Sequence, residues 1–568
     1  MMAACIIIDT AIHAFIIVPG GLMKVLLYII FFAFIPHVMD AQMWQRDSAY
    51  LNLRVNDDTT TQIQNEQQIV MHPHDTTNMV AVWRDFRVGY RQVAYGYTFD
   101  GGLTWNQDLF VEPQYIWDSD PGITVDTAGN FFAVILSFNS TYEPNGLFVY
   151  RSTDGGQTWA GPFTVINGVA GVFEDKELIA CDRSGGPYTD NLYVTWARFY
   201  TTRILLSRSV DGGTTFTDPV IVSDNTGVQW PVPVIGPQSE VYVAWVHYSP
   251  GSIRLDRSTD GGQTFGSDIV VQNVTFVQGN LNGNLTTFSF PAMDADITQG
   301  PYHGNLYIAF TDDAPGYSDT DIYFTRSTNS GTSWSSRIRL NDDPLNNGCD
   351  QFHPWLVVAP DGSIIVVWLD RRLDPNNLYM DLYMTCSTDG GITWAQNERI
   401  STVSSDPTAG SFSMIPPEPL SKDQPIICAG RAGLIGEYIG LTASSIEDIH
   451  PVWTDTRLGD QDAFFAVKDS TVQSVRDIST YQHHPDLMIV PNPAYGQCEF
   501  IIPPELCNEY TTCTIYDVRG RAVYTFPYVT PILCWYGATD NNQNVPSGIY
   551  FFCLSSTKSS ITRKCIFH

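Results

Sequence analysis

Short runs of β-branched and aromatic residues recur along this chain, each bounded by turn formers. They are Val80–Trp83, Phe131–Phe138, Leu192–Trp196, Val241–Trp245, Leu306–Phe310, Ile364–Trp368 and Val452–Trp453 with Ala463–Val467 behind it. Such runs are too short for buried helices and have the composition of strands. Between them a second pattern returns six times, first as Tyr97-Thr98-Phe99-Asp100-Gly101-Gly102-Leu103-Thr104-Trp105 and last as Cys386-Ser387-Thr388-Asp389-Gly390-Gly391-Ile392-Thr393-Trp394. The other copies centre on Asp154, Asp211, Asp260 and Asn329. Each copy lies between two apolar runs and so caps a hairpin. The carboxylate can accept from turn N–H groups, the glycines supply φ > 0, and the closing aromatic packs inward. Five equivalent aspartates and one asparagine are a structural device, since an active site needs one nucleophile.

Copies recurring at roughly 50 to 70 residues are a propeller signature. Seven strand units stand against six of these turns, so an all-β propeller of seven blades is expected, with six as the alternative count. Leu53-Arg54-Val55-Asn56-Asp57-Asp58 resembles Arg337-Ile338-Arg339-Leu340-Asn341-Asp342-Asp343, an outermost strand, yet precedes the first unit. The N-terminal strand is therefore expected to complete the last blade and close the ring, removing an exposed edge.

Composition then narrows the partners. Net charge is −30 and charged residues are only 16% of the 568; nucleic acid and anionic membranes are disfavoured. Scattered Asp and Asn could take a structural Ca²⁺, but no contiguous loop, metal motif or cofactor motif stands out. Met23-Lys24, the apolar run Val25–Pro36 and Met39-Asp40-Ala41 read as a secretory signal cleaved after Ala41, with Met23 the true start; a membrane anchor is the rival. Of eleven cysteines, six follow residue 497, a density that suits disulfides in an exported module whose pairing the sequence leaves open. The resulting layout is a signal over 1–41, a propeller over 48–470, a linker over 471–485 and a small β-sandwich over 486–568. A monomer is expected.

The repeated turn resembles the Asp-box (BNR repeat) of the sialidase superfamily, over roughly residues 50–470. The tail, with Pro491-Asn492-Pro493, Tyr516-Asp517-Val518-Arg519-Gly520-Arg521 and Gly548-Ile549-Tyr550-Phe551, resembles the C-terminal sorting domain of the type IX secretion system. That resemblance implies contact with the outer-membrane secretion machinery and a secreted or bacterial cell-surface address. An ordinary adhesion sandwich is the alternative for the tail.

Propeller geometry puts the loops between second and third strands, and those entering first strands, on the face opposite the Asp-boxes. Three W-x-D-x-R segments fall there: Trp83-Arg84-Asp85-Phe86-Arg87, Trp368-Leu369-Asp370-Arg371-Arg372 and Trp453-Thr454-Asp455-Thr456-Arg457. If Arg87, Arg372 and Arg457 converge, they can grip a carboxylate through bidentate donors, with Arg84, Arg371, Trp230 and Glu437 nearby. If each Asp instead pairs with its own Arg, the motif orders a loop. The sialidase resemblance implies a tyrosine nucleophile, for which Tyr438 is the candidate with Glu174 or Asp120 as its carboxylate. The family's Arg-Ile-Pro motif has no counterpart in Gln64–Val70. Two functions follow: a surface propeller that binds glycans or proteins opposite the boxes, or an exo-sialidase-type hydrolase cleaving terminal anionic sugars.

Overall fold

The computed structural model describes residues 49–468, apart from 112–113, 140–143, 278–279, 314–318 and 410–434, and in the tail 488–490, 498–501 and most of 512–567. The expected signal, the linker and Pro491-Asn492-Pro493 lie outside the described residues. The chain divides into two compact units, Met1–Lys468 and Asp469–His568.

In the first unit the described residues form seven four-stranded antiparallel sheets. Six read inside to outside in chain order, as in Gln64–His72, Asp75–Asp85, Gln92–Thr98 and Asn106–Leu109. The innermost strands are Gln64–His72, Trp117–Val125, Phe173–Cys181, Val228–Ile235, Ala292–Ala295, Gln351–Val358 and Gly440–Ser445. Each packs on the next and the last packs on the first. The second-strand runs form the buried middle layer, with Trp83, Trp196, Trp245, Trp368 and Trp453 fully buried between sheets.

The seventh sheet is completed as the sequence argues. Tyr50–Arg54 pairs antiparallel with Asp462–Lys468, Tyr50 opposite Lys468 and Arg54 opposite Phe464. The likeness between the two Asn-Asp-Asp segments is a likeness of hydrogen bonds. Asn341 Nδ2 lies 2.7 Å from Asp321, 2.7 Å from Asp343 and 2.8 Å from Gln351. Asn56 Nδ2 lies 2.8 Å from Asp462, 3.0 Å from Asp58 and 3.2 Å from Gln64. In both places one polar knot therefore ties the outer strands of one sheet to the inner strand of the next.

The boxes sit where third strands turn into fourth. Thr104 donates to Asp100 through its amide at 2.9 Å and its hydroxyl at 2.6 Å, and Thr158, Thr215, Thr264 and Thr393 repeat both bonds to Asp154, Asp211, Asp260 and Asp389. Asn329 keeps the turn by accepting from the Ser333 amide and donating to its hydroxyl. Glycine is required at the second position: Gly102 has φ +87°, and a Cβ there would lie 2.1 Å from the Phe465 ring of the adjoining sheet. On this same face the inner strands enclose a channel of about 590 Å³, lined by all seven.

The second unit contains a three-stranded sheet of Met488–Val490, Cys498–Ile501 and Ile532–Trp535, and a four-stranded sheet ordered Ala522–Phe526, Thr512–Asp517, Gly548–Ser555, Ser560–Phe567. One core joins Phe500, Ile515, Trp535, Phe552 and Phe567.

Candidate functional site

Two sets of charged groups occupy the face opposite the boxes, and they differ in kind. The first is the W-x-D-x-R segment. Asp85 accepts from the Trp83 indole at 2.8 Å, from the Arg87 amide at 2.8 Å and from the Arg87 guanidinium at 2.6 Å. Asp370 is held in the same way by Trp368 and Arg372, and Asp455 by Trp453 and Arg457. Each guanidinium then reaches outward, Arg87 to Gln107, Arg372 to Asn397 and Arg457 to Asn52. Arg372 and Arg457 also lie 4.5 Å over the rings of Tyr383 and Phe464. The unit is a clip that fastens a loop to the outermost strand.

This corrects the expected anion grip. Arg87, Arg372 and Arg457 are each closed on their own aspartate, and Arg372 and Arg457 also reach back to the preceding repeat, to Asp342 at 2.6 Å and Thr402 at 2.9 Å. Glu174 is corrected too. In the third sheet Trp196-Ala197-Arg198 lacks the aspartate, and Glu174 replaces it, accepting from the Trp196 indole at 2.6 Å and from Arg198 at 2.5 Å. It is part of a clip and does not partner Tyr438. Arg371 is buried and serves as an anchor: it donates to the Asn377 carbonyl at 3.0 Å and to the Asn282 carbonyl at 3.1 Å. It thereby pins the long connector that follows Ile269–Asn273.

The second set lies near the propeller axis. At one level of five inner strands the ladder breaks in a bulge, between Asn65 and Gln68, Ser119 and Gly122, Asp175 and Leu178, Gln229 and Val232, and Phe352 and Trp355. A left-handed non-glycine residue occupies each bulge: Glu66 (φ 58°), Asp120 (φ 49°), Lys176 (φ 57°), Trp230 (φ 64°) and His353 (φ 50°). Bulges re-aim side chains, and strained φ values of this kind cluster at functional positions. From the seventh sheet, Glu437 and Tyr438 approach just ahead of Gly440–Ser445.

Lys176 is the hub. Its ammonium lies 3.1 Å from Asp120, in contact with Glu437, and 4.9 Å from the Trp230 ring centre. Arg84, buried, pairs with Glu66 at 3.1 Å and with Asn65 at 2.8 Å. Trp230 stacks on Phe290 and meets Phe288, each at 5.0 Å. Its indole donates to the Tyr248 hydroxyl at 3.2 Å, which donates to Gln229 at 2.7 Å, and Gln229 donates to Asp175 at 3.2 Å. Tyr248 is the outermost member, 43% exposed.

Burial governs the charges. It pushes Glu66 up to about 8 against the pull of Arg84, and Asp175 up to about 7 against the pull of Lys176. Glu177, buried, is raised well above the usual range by burial and by Asp120. Asp120 goes the other way: burial opposes its charge, but Lys176 wins and holds it ionised. At neutral pH burial thus outweighs the Arg84 pairing and keeps a proton on Glu66, whereas Lys176 outweighs burial at Asp120.

Tyr438 is buried beside the carboxyls of the cluster. Its hydroxyl donates to the Pro121 carbonyl at 3.1 Å, and burial together with Glu66, Asp120 and Glu177 raises its pKa. Asp120 is committed to Lys176. Of the expected site residues the fold brings together Arg84, Asp120, Trp230, Glu437 and Tyr438. Glu66, Lys176, Glu177 and Tyr248 were not singled out from the sequence. The signal for Glu66, Lys176 and Glu177 was a polar residue at the start of a first strand, visible only once the bulges align, whereas Tyr248 follows the second strand Val241–His247.

Residues 488–568 match the family described as Secretion system C-terminal sorting domain, and residues 150–160 match the BNR/Asp-box repeat. The chain carries Asp-box repeats and a secretion-system sorting tail. That tail directs it to secretion and the cell surface. No curated protein matches. Among solved structures, the chain is similar to the intramolecular trans-sialidase from Ruminococcus gnavus (13% identity, TM-score 0.42, covering 57% of this chain and 93% of that one). It is similar to the NanB sialidase from Streptococcus pneumoniae (10%, TM-score 0.41, 62% and 70%), and to a protein of unknown function from Dyadobacter fermentans (11%, TM-score 0.38, 73% and 97%).

Proposed function

We propose that the exported chain is a binding propeller for glycans or proteins, and that its ligand sits on the face opposite the Asp-boxes around Tyr248, Gln229, Trp230, Phe288 and Asp175. The observation that carries this reading is the state of the cations on that face. Each W-x-D-x-R arginine is locked on its own aspartate, and Lys176 is held between Asp120 and Glu437. A terminal anionic sugar would meet carboxyl groups before it met an open guanidinium. Aromatic rings beside amide and carboxyl groups suit neutral sugar rings or a peptide, since ring faces stack and the polar groups fix orientation.

The test is a glycan array with the full chain, run beside hydrolysis of a fluorogenic sialoside. Binding to neutral glycans that is weakened about tenfold by Tyr248→Ala, with no turnover, is the expected result. Turnover of the sialoside that is lost in Tyr438→Phe would overturn it in favour of an exo-sialidase-type hydrolase.

A further inference from the structure

Two cysteines face each other across the core of the tail. Cys498 lies on the middle strand of the three-stranded sheet and Cys565 on Ser560–Phe567, an edge strand of the four-stranded sheet. They are 0% and 1% exposed, within the core that includes Phe500, Trp535 and Phe552, and their sulfurs are 3.8 Å apart. Strand alternation sends Cys498 and Phe500, and likewise Cys565 and Phe567, to the inner faces. It separates two other cysteines of the tail: Cys513 is opposite Leu554, and Cys553 opposite Thr514, so these two point to opposite faces of one sheet.

We propose that Cys498 and Cys565 form a disulfide on export, stapling the two sheets of the sorting domain to each other. Buried thiols in contact across a core need only a small rotation to go from 3.8 Å to the bonded distance of about 2.0 Å. The bond would tie a strand ending at Phe567 into the opposite sheet. A disulfide there closes a long stretch of chain, which constrains the unfolded state strongly. The address supplied by the tail takes the chain out of the reducing cytoplasm and into the oxidising cell envelope, where such bonds persist.

The chemistry balances with a protein disulfide of the cell envelope as oxidant. The Cys498 thiolate attacks one sulfur of that disulfide and releases its first thiol, leaving a mixed disulfide. The Cys565 thiolate then attacks the Cys498 sulfur, the Cys498–Cys565 bond forms and the carrier's second thiol leaves. Two protons and two electrons pass from the pair to the carrier. Since both sulfurs end buried, the exchange belongs to the folding stage, before the core closes.

The experiment uses the full chain directed to the periplasm of a bacterial host, denatured in N-ethylmaleimide without reductant, and mapped by peptide mass. The expected result is one linked peptide pair joining Cys498 to Cys565, absent after reduction, together with a lower melting temperature of the tail in reductant. Recovery of both cysteines as alkylated thiols overturns the proposal, as does linkage of either to a different cysteine. A Cys498→Ser/Cys565→Ser variant should show no reductant-dependent melting shift. A shift that persists in it would assign the effect to other cysteines and also overturn the proposal.

Discussion

The clips and the axial cluster lie on the same face and draw on the same residue types, yet they are built on opposite principles. In the clips the side chains recur: Trp, Asp and Arg return at the same spacing with the same bonds in three sheets, and Glu174 rebuilds the device in a fourth. At the axis the backbone recurs and the side chains do not. Five bulges share one left-handed conformation but present Glu, Asp, Lys, Trp and His. Repetition of side chains marks what every blade needs in order to stand. Variety at a repeated backbone position marks the place where the blades do different things. A motif search therefore finds scaffold first, and the W-x-D-x-R arginines look like a binding set because they recur.

The largest effect should come from breaking a clip. Asp370→Ala removes the acceptor shared by the Trp368 indole, the Arg372 amide and the Arg372 guanidinium. It leaves a largely buried cation without its main partner. A loss of about 3–5 kcal/mol is expected, read by denaturant unfolding of the full chain, with ligand binding unchanged in the fraction that stays folded. A loss below about 1 kcal/mol would mean the clip is ornamental and reopen Arg372 as a ligand group.

The axis should respond to pH in a way the clips do not. Glu66 and Asp175 have folded pKa values of about 8 and about 7, above their usual 4.5 and 3.8. A carboxyl raised on folding contributes most below its unfolded pKa and loses that contribution as pH rises through its folded pKa. The propeller should therefore lose about 2 kcal/mol or more between pH 6 and pH 9, measured by urea midpoints at constant ionic strength. Glu66→Gln should flatten that slope, because an amide has no proton to lose. An unchanged slope would place the titration elsewhere. The box aspartates, lowered by their threonine and serine hydrogen bonds, carry the opposite sign: their contribution is present above the usual carboxylate range and is lost only as pH falls toward about 2, as for Asp260 and Asp389.

Much of the fold was legible in the sequence because its rules are local. An Asp, two glycines and an aromatic specify a turn within nine residues, and the resemblance of Arg54–Asp58 to Arg339–Asp343 located the strand that completes the seventh sheet. The axial cluster was not legible, because its members come from six sheets and meet only after the ring closes. Asp120 was singled out as a carboxylate for Tyr438 and Glu437 as a binding group, but Lys176, the group that joins them, sits unremarked inside Glu174-Asp175-Lys176-Glu177. The burial that raises the pKa values of Glu66 and Glu177 is a property of the assembled ring and has no local signature.

The smallest effect is the most direct probe of the boxes. Asp389→Ala removes the acceptor for the Thr393 amide at 2.8 Å and its hydroxyl at 2.6 Å. The turn is exposed, so water can replace part of what is lost. A cost of about 1 kcal/mol is expected, seen as a small drop in urea midpoint. Asp389→Asn should recover most of it, because Asn329 already performs the same task one sheet earlier, accepting from the Ser333 amide at 3.0 Å. If Asp389→Asn costs as much as Asp389→Ala, the boxes need the charge as well as the acceptor. The next-to-last copy of the repeat, at Asn329, would then mark a weakened blade rather than an equivalent one.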